Sequence, residues 1–299
     1  MVSVIIPTHN RVELLPRAIN SVLNQTYQEI EVIVVSDGST DGTDALMEKY
    51  ANNSRIKYIN YTPAHGGNYA RNTGVKMSNG DYVAFLDDDD EWLPTKIEEQ
   101  MHIFNTSPNI GLVYTGTNVI YENADLQYKS IVHKSGDLGK EILFKNYIGS
   151  TTTVMVRKKV FDEAGLFDEK LSANQDYDLW IRVCQIVNIG VVMKPLVNYY
   201  NSINSEQISS NTQKYIDAYN QIDLKYANLL KKLSNKELDV LKANREIDLG
   251  LRCLRNCDKI SAVKYFINSF KYQFRLSAFF YIILSPLNFK YLLKLRQFK

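Results

Sequence analysis

Tyr82-Val83-Ala84-Phe85-Leu86-Asp87-Asp88-Asp89-Asp90 joins a short apolar run to four consecutive carboxylates. The apolar half has the length and composition of a buried strand. Four adjacent carboxylates at a strand end repel one another, which is costly unless something positive sits among them. A divalent cation with oxygen ligands suits that place. Held by only one or two carboxylates, it keeps positions open for phosphate oxygens. On an extended segment, side chains two apart share a face, which would pair Asp87 with Asp89. The plainer alternative is a solvated acidic turn at the start of the next helix.

The same unit recurs upstream. Val2-Ser3-Val4-Ile5-Ile6-Pro7 runs into Thr8-His9-Asn10-Arg11, and residues 31–36 run into Asp37-Gly38-Ser39. Leu14, Leu15, Ala18, Ile19, Val22 and Leu23 recur at helical spacing between those two strands. Further helices are predicted over 41–51, 68–78 and 93–105, and a third strand over 55–60. This strand–helix alternation predicts an α/β fold with a mostly parallel sheet flanked by helices. In such sheets ligands bind outside the carboxyl ends of the strands, so all three polar clusters should meet at one cleft. There Asp37 has the chemistry to accept hydrogen bonds from a base or ribose, or merely to cap a turn. Gly66-Gly67 would let backbone approach a ligand, and Arg71 would neutralise phosphate or pair with a surface carboxylate.

Several other readings fail. An EF-hand starting at Asp87 would need glycine at its sixth position, where Trp92 stands. A Gly-x-Gly-x-x-Gly after the first strand is absent, which disfavours NAD. An aspartyl-nucleophile phosphatase is disfavoured because the other two strand-end clusters suit a nucleotide. The 299 residues are 45% hydrophobic and 23% charged with net charge +2, which excludes a disordered chain and gives no electrostatic case for nucleic acid. Three cysteines, Cys184, Cys253 and Cys257, argue against a disulfide framework and for a reducing compartment. Met1 leads straight into the first strand, so no leader peptide is expected.

Downstream the pattern loosens. Strands are predicted over 111–121, 150–157 and 191–200, and helices over 137–146, 158–164 and 175–188. A Ser/Asn-rich stretch then marks a boundary, dividing the chain into residues 1–205 and a helical region 206–299. Tyr215, Tyr219, Ile222, Tyr226 and Leu229 form one stripe there; Val240, Ile247, Leu251 and Leu254 form another. Asp258 is placed to cap a third helix through Phe270. From Lys271 onward there are six basic residues and no acidic one, leaving −4 for residues 1–270 out of the net +2. The apolar run 278–284 is far too short to span a bilayer, which needs ~20 residues. A last helix placing Leu292, Leu295 and Phe298 among lysines and arginines fits a membrane surface.

Five ordered motifs resemble family-2 glycosyltransferases of the GT-A fold. Val2 through Arg11 is similar to their opening strand and loop, and Val32 through Asp41 to their second motif. Gly67-Asn68-Tyr69-Ala70-Arg71-Asn72-Thr73-Gly74 resembles their Ala-Arg-Asn-x-Gly helix. Asp87 through Asp90 looks like their metal motif, and Gln175-Asp176-Tyr177-Asp178-Leu179-Trp180-Ile181-Arg182 like their late acidic motif. The resemblance covers residues 1–200. It implies an inverting hexosyl- or N-acetylhexosaminyl-type transferase using a nucleotide-diphosphate sugar, often UDP-linked. Pro7, Thr8, Asn10 and Asp37 would contact the nucleotide, with Arg71 beside the donor. Asp87 and Asp88 would face ribose and phosphate. Asp89, with Asp87, would bind Mg²⁺ or Mn²⁺, and Asp176 would be the catalytic base. The family often carries Glu-Asp at the late motif, where this chain has Gln175-Asp176. Gln175 cannot act as a base, so the burden falls on Asp176, with Asp178 as its local rival.

Trp92 and Trp180 read as packing residues, and His9 and His65 as loop hydrogen-bonding groups. The basic, aromatic tail fits a lipid-linked saccharide acceptor of polysaccharide assembly, met at the cytoplasmic face of a membrane. Two rivals are a catalytically inactive nucleotide-sugar-binding scaffold, which Gln175 encourages, and a sugar nucleotidyltransferase. The latter lacks a Gly-rich, basic triphosphate loop after the first strand.

Overall fold

In the computed structural model the described residues are 1–201, 211–287 and 293. The parallel half of the molecule runs β1 (Val2–Thr8), α1 (Leu15–Leu23), β2 (Ile30–Asp37), α2 (Thr43–Glu48), β3 (Ile56–Tyr61), α3 (Gly67–Met77) and β4 (Tyr82–Phe85). Then come β5 (Glu91–Trp92), α4 (Lys96–Thr106), β6 (Ile110–Tyr121), β7 (Leu126–Ser130), β8 (Val154–Arg157), α5 (Val160–Ala164), α6 (Gln175–Cys184) and β9 (Asn188–Asn201). Five helices follow: α7 (Thr212–Lys225), α8 (Ala227–Leu230), α9 (Asn235–Arg255), α10 (Lys259–Ser269) and α11 (Leu276–Leu284).

Among the described residues the strands form one nine-stranded sheet, ordered β3-β2-β1-β4-β8-β6-β9-β5 with β7 beside β6. The first four strands in that order are parallel, and β6 pairs β9 in parallel. β8 runs antiparallel to both β4 and β6, so the sheet is mixed beyond the alternating half. Strand side chains alternate between two buried layers. Val4, Ile6 and Val34 pack with Leu15 and Ile19 of α1, whereas Ile5, Val35 and Phe85 pack on the face that holds Trp180. Burial on both faces explains why these strands read as unbroken apolar runs.

α3 lies close on β1: a Cβ on Gly74 would stand 2.4 Å from Ile5 Cγ2. The first ends of the C-terminal helices join the main core through Ile222, Tyr226, Leu233 and Leu241. The far end of α9 packs instead with α10 and α11 around Cys253, Leu254, Phe266 and Ala278. α9 starts in a capping box of Ser234 and Glu237, and Asp258 caps α10 by accepting from Ser261 N at 3.0 Å.

Four local expectations are corrected. Residues 137–146 are no α-helix; only Glu141–Leu143 makes a 3₁₀ turn. Gly136 ties that segment to the sheet through a bridge with Ile189, leaving little chain for a helix. The strand expected from 150 starts at Val154, because Thr151–Thr153 turns once on the Ser150 cap. The helix expected through 188 ends at Cys184, since Asn188 already pairs with Ile110. β5 and β7 were not anticipated: the first has two residues, and the second is a mostly exposed edge. Among the described residues no helix is long and apolar enough to cross a membrane. The tail helix carrying Leu292, Leu295 and Phe298, and the 205/206 boundary, lie outside the described residues.

Candidate active site

The carboxyl ends of β1, β2 and β4 open with the starts of α3 and α6 onto one cleft of about 1040 Å³. Pro7, Thr8, Asp37, Arg71, Asp87, Asp88, Asp89 and Asp176 all line it. Asn10 does not. Its backbone sits in the left-handed region at φ 52°, and its Oδ1 accepts from Thr40 N at 2.7 Å. Asn10 therefore ties the loop after β1 to the loop after β2.

The aspartate run turns instead of extending the strand: Asp90 N donates to Asp87 O at 3.0 Å. Alternation fails there, and Asp87, Asp88 and Asp89 all reach the cleft. Asp90 turns inward, is 1% exposed, and accepts from Tyr200 N at 3.0 Å. Its Oδ2 is buried without a hydrogen-bond partner at bonding distance among the described residues. Arg71 Nη2 donates to Asp87 Oδ1 at 2.6 Å. Arg11 Nη1 reaches Asp88 Oδ1 and Asp89 Oδ2, both at 2.8 Å. The positive charge demanded by four carboxylates is thus supplied in part by two arginines. The sequence gives Arg11 no role beyond its place in the first loop; in the fold it is a cation facing the aspartate run.

Even so the carboxylates remain strained. Burial pushes Asp88 up to about 6, with Arg11 opposing the shift. Burial and the neighbouring Asp87 raise Asp89, and burial then Asp87 and Asp89 raise Asp90 well above the usual carboxylate range. Among the described residues no three His, Cys, Asp or Glu side chains form a closed metal cage. An acidic, partly open donor set of this kind fits a hard cation completed by ligand oxygens.

Asp37 accepts from His65 N and Gly66 N at 2.7 Å each, so it also fixes the turn that starts α3. Gly38 beside it has φ 67°, and a Cβ there would meet Ala64 N at 2.8 Å. His9 packs its Nδ1 against Asp37 O at 2.5 Å, and Trp92 and Trp180 are buried with their indole N–H groups on carbonyls. All three serve as the packing and loop roles expected of them.

Asp176 and Asp178 separate cleanly. Asp176 lines the cleft, accepting from Tyr177 N at 2.7 Å and from Asn146 Nδ2 at 3.4 Å. Burial pushes its carboxyl up to about 6; Tyr177 N, Arg71 and Arg252 pull the other way. Asp178 is fully buried on the opposite side, bound to Arg182 and Lys225 at 2.8 Å and to the Tyr226 hydroxyl at 2.7 Å. It is a structural carboxylate that ties α6 to α7.

The sequence reading missed the other half of the lining. Tyr215 and Tyr219 of α7 and Arg245, Asp248, Arg252 and Arg255 of α9 face the same cleft. Arg275, Ser277 and Tyr281 join them from the start of α11. Arg252 lies 3.3 Å over the Tyr215 ring and donates to Asp248 Oδ2 at 2.7 Å. Arg245 reaches Asp223 at 2.5 Å. The tyrosines were visible as a stripe, but nothing marked that stripe as a cleft wall.

The glycosyl transferase family 2 profile matches residues 3–165, and the chain belongs to that family. It is therefore a glycosyltransferase with a GT-A type fold. A glycosyltransferase of Rickettsia prowazekii is 31% identical over 250 residues, covering 82% of this chain and 76% of that one. WfgD of Escherichia coli, named a UDP-Glc:alpha-D-GlcNAc-diphosphoundecaprenol beta-1,3-glucosyltransferase, is 32% identical over 72% of this chain and 81% of its own. Staphylococcus aureus TarS, solved with UDP-GlcNAc, shares the fold at TM-score 0.63 and 18% identity, covering 88% of each chain. The mannosyltransferase PcManGT of Pyrobaculum calidifontis, solved with GDP-Man and Mn²⁺, shares it at 0.60 and 16%, covering 99% and 83%.

Proposed function

We propose that this glycosyltransferase moves a sugar, with inversion, from a UDP-sugar to a hydroxyl of a lipid-linked saccharide. One observation carries the reading: the carboxylates after β4 and the α6 carboxylate Asp176 share a single cleft. Pro7, Thr8 and Asp37 hold the nucleoside end, with Asp37 on the base. Arg71 lies beside the diphosphate, and Asp87 and Asp88 face ribose and phosphate. Asp89, with Asp87, would hold Mg²⁺ or Mn²⁺, which when bound neutralises charge developing on the leaving diphosphate.

Asp176 takes the acceptor proton as that hydroxyl attacks the anomeric carbon. The new glycosidic bond forms on one face as the glycosyl–phosphate bond breaks on the other. A carboxyl raised to about 6 is ionised at neutral pH yet more basic than an ordinary one. The similarity to WfgD, named for a UDP-Glc donor and a GlcNAc-diphosphoundecaprenol acceptor, supports both the UDP donor and the lipid-diphosphate acceptor. The same reading puts the enzyme at the cytoplasmic face of a membrane, in keeping with a chain of only three cysteines.

The test supplies the full chain with UDP-sugars, Mn²⁺ or a chelator, and a short-chain lipid-diphosphate saccharide. Wild type forms product only with metal. Asp176→Asn and Asp89→Asn each lose roughly 10²–10⁴-fold in turnover without melting lower than wild type. Wild-type turnover in either variant removes its assigned role.

A further inference from the structure

The helical wall has a chemistry of its own. Arg252, Arg255 and Arg275 all face the cleft, yet no family motif contains them. Arg252 is matched by Asp248, and Arg255 donates to Asn201 Oδ1 at 2.8 Å. Among the described residues Arg275 has neither an ion pair nor a hydrogen-bond partner for its buried Nε. Buried guanidinium N–H groups left unpaired are costly, and phosphate oxygens satisfy them in a planar fork. Ser277 lines the cleft on the first turn of α11, where backbone N–H groups also favour an anion.

The outer face of the same helix is apolar. Leu276, Phe279, Phe280 and Ile283 follow one another at helical spacing and are exposed, Leu276 by 60%. α11 itself carries no charge, while its inner residues Ala278 and Tyr281 pack on α10 or the cleft. Arg275 immediately precedes Leu276, so cleft-lining arginine and an exposed apolar face meet at one helix end.

We infer that Arg252, Arg255 and Arg275 bind the diphosphate of a polyprenyl-diphosphate saccharide acceptor, whose hydrocarbon chain leaves along the outer face of α11. The inference rests on the glycosyl-transfer reading above and names the acceptor's anchor. It places the acceptor sugar toward Asp176, which feels Arg71 from the donor side and Arg252 from the wall.

Farnesyl diphosphate, inorganic pyrophosphate and farnesol serve as probes in calorimetric titrations of the full chain, with and without saturating UDP and Mg²⁺. Farnesyl diphosphate is expected to bind alongside UDP, and farnesol to bind far more weakly. Arg255→Gln with Arg275→Gln weakens farnesyl diphosphate by about tenfold or more, the equivalent of one charge-assisted bond. Arg275→Lys keeps most of the affinity. Leu276→Ser with Phe280→Ser weakens farnesyl diphosphate without weakening pyrophosphate. Displacement of farnesyl diphosphate by UDP, or wild-type affinity in the double arginine variant, overturns the inference. Failure of UDP to bind, with arginine-dependent farnesyl diphosphate binding intact, overturns only the donor assignment.

Discussion

Two residues apart on α6, Asp176 and Asp178 show how one helical turn assigns opposite duties to the same side chain. Asp176 meets the cleft; Asp178 meets Arg182, Lys225 and Tyr226 in the interior. The pH dependence follows from the first. A base must be ionised to accept a proton, so kcat/KM should fall tenfold per pH unit below about 6. The residual activity of Asp176→Asn should lack that acidic limb, which a pH–rate profile reads directly. Stability runs the other way. A carboxyl raised in the folded state binds its proton more tightly there than when unfolded, so ionising it weakens the fold as pH rises through the interval up to about 6. Asp176→Asn removes that cost, and at pH 8 it should stabilise the protein by roughly 1–3 kcal/mol in chemical denaturation. A loss of turnover in a variant that melts no lower than wild type is then chemical, not structural.

At the scale of elements, α3 is set by how near it comes to β1. Gly74 has no room for a methyl group against Ile5, so Gly74→Ala should destabilise the protein by roughly 1–3 kcal/mol. Ile5→Ala, which removes Cγ1, Cγ2 and Cδ1, should cost less in the Gly74→Ala chain than in the wild type, as equilibrium unfolding of the double-mutant cycle reads. Such close packing leaves a glycine in the sequence but not its reason. Legibility varied with this kind of dependence. β1, β2 and β4 were readable because burial on both faces demands unbroken apolar, β-branched runs. β7 was not, because an exposed edge strand needs no such composition. The segment around Gly136 misled because its local helical pattern yields to a tertiary bridge with Ile189. Likewise the polar tips of three strands announced the donor half of the cleft. The arginines of α9 fell between apolar positions, and periodicity shows which face of a helix is greasy without showing what it meets.

Considered whole, the sheet and the helices that follow it share one core and one cleft. The family profile ends at residue 165, but helices beyond 211 contribute both core and cleft lining. Tyr226 and Lys225 satisfy a carboxylate that belongs to α6. A chain cut after residue 205 should therefore aggregate or lose cooperative melting, as seen by size-exclusion chromatography and circular dichroism. In the intact chain, Tyr226→Phe should cost roughly 1.5–3 kcal/mol, the usual penalty for removing a hydrogen bond to a charged group.

That buried carboxylate also sets the terms on which the enzyme can be re-engineered. Grafting another transferase's helices onto this sheet, to exchange one acceptor for another, would succeed only if the donor segment brought its own amine and phenol to the spot beneath α6. Without them the chimera would leave that anion at the seam with Arg182 alone, and would come apart there first.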